Sequence, residues 1–304
     1  MVSSFKNFDW LWIVLMNYQT LLKKIENYKK KYNVKIIGKT EFNRNIFAVE
    51  KTLSEDFFTV IFVCSVHARE HITTDLVCRM LDEGLFDTVK NFNVSFILMA
   101  NPDGVELVYG GLFSAPENYQ KFLKSINNGN DCFNLWKANG RGVDINNNFD
   151  ANFGTNVHNK TPASSGFTGK FAESEKETRA IANYTKSKKI FLSISYHSKG
   201  EEIYFNFFQN KLDLKRDKII AKRFSESTGY KIKNVEKVSS GGYKDYCVQK
   251  LHIPALTIEV GSDELVHPIG EEYLEEIFLK HKNVAKDVEF AYNIFIEFEG
   301  KKYV

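Results

Sequence analysis

Proline is scarce in this chain, with 5 among 304 residues, whereas Phe and Tyr number 26 and 14. That balance speaks for a folded chain and against a disordered one. Cysteine is scarce as well. Cys64, Cys78, Cys132 and Cys247 lie far apart and form no CxxC pair. The pattern argues against a disulfide framework and suits a reducing compartment. No run approaches 18 apolar residues, so no segment reads as a spanning helix. An excess of one charge is missing too: 41 basic residues face 38 acidic ones, for a net +3. Nothing in that balance points to nucleic acid or to a membrane surface. Residues 8–16 come nearest to a targeting segment, but Asp9 interrupts them, Lys6 alone precedes them, and no small-x-small site follows. The expectation is an N-terminal extension over 1–16, one domain over 17–304, and a cytoplasmic location. The oligomeric state is left open.

What is present is a large apolar fraction, 43%, arranged in short runs. Four of them (57–65, 92–99, 190–196 and 254–258) read as buried strands. Each stops at polar residues: His67-Ala68-Arg69-Glu70-His71, Asn101-Pro102-Asp103-Gly104, His197 and Glu259. The spacing predicts helices over 17–32, 72–84, 174–187, 214–228 and 270–297, the last with breaks. Runs at 33–38 and 45–50 predict an antiparallel pair, and 202–206 a further strand. Residues 101–104 carry a turn signal. Ser174-Glu175-Lys176-Glu177 matches a capping box. Residues 105–170 are rich in Gly and Asn and read as a long loop. Strands alternating with helices imply an α/β fold, a mostly parallel sheet covered on both faces. Ligands of such sheets bind beyond the carboxyl ends of the strands, where these polar residues fall.

His67 and Glu70 are three positions apart, close enough in one turn to share an ion. His197 offers a third ligand. Two imidazoles and one carboxylate suit Zn²⁺ and leave a position for water. Glu259 then reads as a general base and acid. The same residues also admit a plainer reading, in which HxxE is a chance pairing, His197 a core histidine and Glu259 a salt-bridge partner.

In combination these segments resemble the zinc carboxypeptidase family, the funnelin-type metallopeptidases. The landmarks occur in order: His67-Ala68-Arg69-Glu70, Asn101-Pro102-Asp103-Gly104, Gly142-Val143-Asp144-Ile145-Asn146, His197-Ser198 and Ile258-Glu259. The likeness extends over about residues 17–297. It implies a mixed eight-stranded sheet, zinc held by His67, Glu70 and His197, and Glu259 as general base. A narrower likeness, to the γ-D-glutamyl-meso-diaminopimelate peptidases of that family, rests on four stretches. These are Trp136 to Asp144, Thr161-Pro162-Ala163 with Ser174-Glu175, and Tyr196 to Tyr204. It implies a peptidoglycan-derived stem peptide as substrate. A general carboxypeptidase and a catalytically silent peptide-binding module are the alternatives.

The departures from the family pattern bear on substrate. Typical members carry Asn-Arg where this chain has Asn146-Asn147, and Asn147 cannot make the charged bidentate pair with a terminal carboxylate. Lys237 stands at the place of the mobile tyrosine. The cation for the developing oxyanion has no direct match. Arg141 is the first choice and Lys137 the second. By the same resemblance, Lys244 lies in the pocket beyond the scissile bond and favours a carboxylate there, and Arg69 contacts substrate.

Overall fold

The computed structural model describes residues 16–155, 157–234 and 241–301. Of the expected extension over 1–16 only Met16 falls within that set, and Lys237 lies outside it. Strand β3 (Thr59–Val63), reached after β1 (Asn33–Lys39) and β2 (Asn45–Lys51), has every residue buried. Its β-branched and aromatic side chains suit a strand covered on both faces. The pleat sends Val60 and Phe62 into one apolar cluster and Ile61 and Val63 into another. Phe62 stacks on Phe96 of β4 (Asn93–Ile97) at 5.1 Å and on Tyr196 of β5 (Ile190–His197) at 6.2 Å, a row of rings across three strands.

With β6 (Glu202–Tyr204), β7 (Lys231–Lys233) and β8 (Ala255–Glu259), the sheet has eight strands in the order β1-β2-β4-β3-β5-β8-β6-β7. It is mixed, as expected, with β4, β3, β5 and β8 a parallel block. β1–β2 form the expected antiparallel pair. Helices α1 (Tyr18–Tyr28) and α2 (Ile72–Asp82) supply side chains to the cluster on one face. Further along the chain, α5 (Lys176–Lys186), which follows α3 (Pro102–Gly110) and α4 (Glu117–Ile126), supplies the cluster on the other. After these come α6 (Lys211–Thr228) and α8 (Leu274–His281) with α9 (Val284–Lys301) on the first face, and α7 (Tyr243–Lys250) on the second.

Several local expectations change. Asn101-Pro102-Asp103-Gly104 is the start of α3, not a free turn. The Asn101 side chain caps the helix by accepting the Gly104 N–H at 3.0 Å, and Pro102 takes the first helical position. The loop expected over 105–170 therefore holds most of α3 and all of α4, whose only fully buried side chain is Leu123. The capping box does not form. Helix α5 starts at Lys176, and both acidic side chains are engaged elsewhere: Asn139 donates to Glu175 at 2.9 Å and to Glu177 at 3.2 Å. The C-terminal helix is two helices that meet at 282–283.

Candidate active site

The carboxyl ends of β3, β5 and β8 converge. After β3 the chain bends through His67 into a single 3-10 turn, Ala68–Glu70, which swings Glu70 back under His67. The register aligns His197 with Glu259 across the parallel β5–β8 pair, so both side chains leave the same face of the sheet. The result is a compact set. His67 Nδ1 lies 2.8 Å from Glu70 Oε1, His197 Nδ1 lies 3.0 Å from Glu70 Oε2, and the two Nδ1 atoms are 3.1 Å apart. All three residues are buried.

This set fits one metal ion on its proton inventory. His67 Nε2 faces the carboxylate of Asp144 at 3.3 Å, which holds the proton on Nε2 and leaves the Nδ1 lone pair pointing inward. That lone pair, a second imidazole nitrogen and a carboxylate then share one centre, a donor set for a divalent cation. Burial works against the Glu70 charge, yet His67 and His197 hold this carboxyl well below its usual range. The Ser198 N–H also donates to Glu70 at 3.3 Å. In the sequence Asp144 is marked only by the Gly142-Val143-Asp144 stretch, where Gly142 at φ +71° turns the chain.

Glu259 stands beside the three ligands without joining them. Burial, and then the Glu70 charge, push its carboxyl up to about 8, against the opposing pull of His67 and Lys137. A carboxylate poised near neutral pH suits proton transfer.

The two candidate cations separate. The Ala68 N–H donates to the Lys137 carbonyl at 3.2 Å and the Arg69 N–H to the Trp136 carbonyl at 3.0 Å, so the metal-ligand turn and the 136–137 segment are tied together. The charge of Lys137 acts on His67, Asp144, His197 and Glu259. Arg141 lies 3.8 Å from Glu175, and its charge acts on Glu41 and Tyr119. Asn101 secures this arrangement, donating to the carbonyls of Ala138 at 3.0 Å and Val66 at 3.3 Å.

Asn146 accepts the Tyr243 N–H at 3.1 Å and packs against Gly242, and Asn147 follows it on the same 3-10 turn. Lys244 is buried. Its ammonium pairs with Asp245, donates to the Asn206 carbonyl at 3.0 Å and lies over the Phe207 ring. Arg69 is half-buried on the metal-ligand turn.

The family model for zinc carboxypeptidases matches residues 18–283. The chain belongs to the zinc carboxypeptidase family. Members of this family are metal-dependent peptidases. The chain is 30% identical over 227 residues to gamma-D-glutamyl-L-diamino acid endopeptidase 1 of Lysinibacillus sphaericus, a match spanning 69% of this chain and 56% of the relative. Bovine thrombin-activatable fibrinolysis inhibitor, solved with tick carboxypeptidase inhibitor, superposes with a TM-score of 0.71 at 17% identity, over 91% of this chain and 95% of that one. Murein-tripeptide amidase MpaA from Escherichia coli O157 superposes with a TM-score of 0.55 at 17% identity, over 83% and 91%. At those identities the two structures share the fold with this member of the family. No helix among the described residues is long and apolar enough to cross a membrane.

Proposed function

We propose that this chain is a zinc peptidase that hydrolyses the γ-D-glutamyl bond to the L-centre of meso-diaminopimelate in peptidoglycan-derived stem peptides. The observation that carries the peptidase reading is the His67–Glu70–His197 set with Glu259 aligned beside it. The substrate class is supported by the Lysinibacillus sphaericus relative, whose name specifies a γ-D-glutamyl-L-diamino acid bond.

His67, Glu70 and His197 would hold the ion. When bound, zinc polarises a carbonyl and makes a water more acidic. Glu259 accepts a proton from the attacking water and delivers it to the departing amine nitrogen as the C–N bond breaks. The acyl carbon keeps the hydroxyl oxygen. We assign the cation facing the developing oxyanion to Lys137 rather than Arg141, because Lys137 shares its electrostatic environment with the ligands and Glu259. Asp144 fixes the His67 ring.

On the amine side, the buried Lys244 ammonium pairs with Asp245, donates to the Asn206 carbonyl and lies over the Phe207 ring, and its positive charge favours a carboxylate of the diamino acid. Asn146, held to the start of α7 through the Tyr243 N–H, and Asn147 beside it carry no guanidinium fork for a terminal carboxylate. That favours the γ-glutamyl reading over a general carboxypeptidase.

The test is to load the chain with Zn²⁺, add L-Ala-γ-D-Glu-meso-diaminopimelate and read products by mass spectrometry. The expected products are L-Ala-D-Glu and free diaminopimelate. Cleavage confined to ordinary α-linked peptides would contradict the substrate assignment.

A further inference from the structure

A cavity of about 430 Å³ opens beside the turn that carries the metal ligands. Its walls include His71, the residue after Glu70, Val108 and Tyr109 of α3, and Ile269, Glu271 and Glu272 from the stretch between β8 and α8. The hydrolysis proposed above uses none of these side chains. The cavity is firmly built on one side. Tyr109 Oη lies 2.7 Å from His71 Nδ1 and the two rings are 4.5 Å apart, so α3 is fastened to the residue that follows Glu70.

Its polar groups are acids that lack partners. Glu271 Oε1 is buried with no hydrogen-bond partner. Behind His71, Asp75 is only 6% exposed, and its Oδ2, 4.0 Å from His71 Nδ1, has no hydrogen-bond partner either. No lysine or arginine lines the cavity. The charges that act on Glu271 are carboxylates, and burial, then Asp75 and Glu272, push its carboxyl up to about 7. A cation seated in the cavity would pair with Glu271 and offset that repulsion. Val108 and Ile269 supply an apolar wall beside it.

The cavity also lies on the useful side of the metal ligands. Lys244 and the partner of Asn146 belong to α7, whose Tyr243 and Tyr246 pack into the apolar cluster on the second face of the sheet. Ile269 belongs to the cluster on the first face, and Tyr109 packs against it. With the departing amine on the α7 side, the cavity falls to the acyl side.

We propose that this cavity is the subsite for the residue that precedes the γ-linked glutamate, and that Glu271 receives the free α-ammonium of that residue, with the exposed Glu272 at the rim. This rests on the γ-glutamyl reading given above. In L-Ala-γ-D-Glu-meso-diaminopimelate the scissile carbonyl carbon and the alanine nitrogen are seven bonds apart, roughly 8 Å when extended. The His71 Cα is about 3.8 Å from that of Glu70, so this wall begins within the peptide's reach. The alanine methyl fits the apolar wall, and its ammonium supplies the cation that the acids lack.

The experiment compares kcat/KM for L-Ala-γ-D-Glu-meso-diaminopimelate and its propionyl counterpart, in which hydrogen replaces the ammonium and no bulk is added. The proteins are zinc-loaded wild type, Glu271→Gln and Glu271→Asp, with metal content and the circular dichroism spectrum recorded for each. The wild type should prefer the free amine by roughly 10- to 100-fold, the range of a hydrogen bond to a charged group. Glu271→Gln, which keeps the shape and removes the charge, should bring the ratio toward one, with Glu271→Asp between. Because the ratio is read within one protein, loss of folded material in a variant does not mimic the effect. Equal cleavage of both peptides by the wild type, or an undiminished preference in Glu271→Gln, overturns the subsite and leaves the γ-glutamyl reading intact. Cleavage of neither peptide overturns both.

Discussion

His67, Glu70, His197 and Glu259 were legible because each stands where an apolar run stops, at the end of a strand where ligands of such sheets bind. Their neighbours were not. Choosing between Arg141 and Lys137 depends on backbone hydrogen bonds joining 68–69 to 136–137, long-range contacts with no local sequence signature. The assignment has a direct consequence. Lys137→Met should lower kcat by roughly 10²–10³-fold, the cost of removing an oxyanion donor, and leave metal content unchanged. Arg141→Met, which removes the contact with Glu175 and the charge felt by Glu41 and Tyr119, should keep kcat within about threefold of wild type in the same steady-state assay.

At the scale of elements, the strands and most helices followed their hydrophobic periods. The exceptions are instructive. Asn-Pro-Asp-Gly is a turn signal and equally a helix start, and the cap geometry decides for the helix. Helix α4 escaped because one fully buried residue, Leu123, leaves almost no apolar stripe to read. The start of α3 is also where scaffold and site meet. A Cβ on Gly104 would lie 2.5 Å from the Ala138 carbonyl oxygen, 2.6 Å from Asn101 Nδ2 and 2.8 Å from Ala68 Cβ. Two of these belong to the segments carrying Lys137 and the metal ligands, and none is a flexible side-chain end. Gly104→Ala should therefore cost about 1–3 kcal/mol of stability in denaturant unfolding and lower kcat together with it. Unchanged stability with full activity would mean that this contact does not position the 137–138 segment.

The molecule as a whole places acid chemistry at two depths, beside the metal ligands and beneath the loop that flanks them. Under that loop Glu177 is buried with Asp103 and Glu175 nearby, and burial first, then those charges, push its carboxyl from 4.5 up to about 8. Between those two values the folded chain keeps the proton that the unfolded chain has released. Stability from this group is full below about pH 4.5 and is lost as pH rises through 8. Replacing Glu177 with Gln keeps an oxygen to accept from Asn139 and removes the titration. The variant should match wild type near pH 5 and melt several degrees higher at pH 9, at about 2–4 °C per kcal/mol for a domain of this size. Identical melting curves across pH 5–9 would show that Glu177 ionises without cost.

In the proposed reaction Glu259 moves the proton beside a metal centre that it does not ligate. The most direct measurement is the turnover of Glu259→Gln at full zinc occupancy on the γ-glutamyl tripeptide. We predict one zinc ion per chain, as in wild type, with kcat reduced by at least roughly 10²-fold. Turnover equal to wild type at the same zinc content would contradict it.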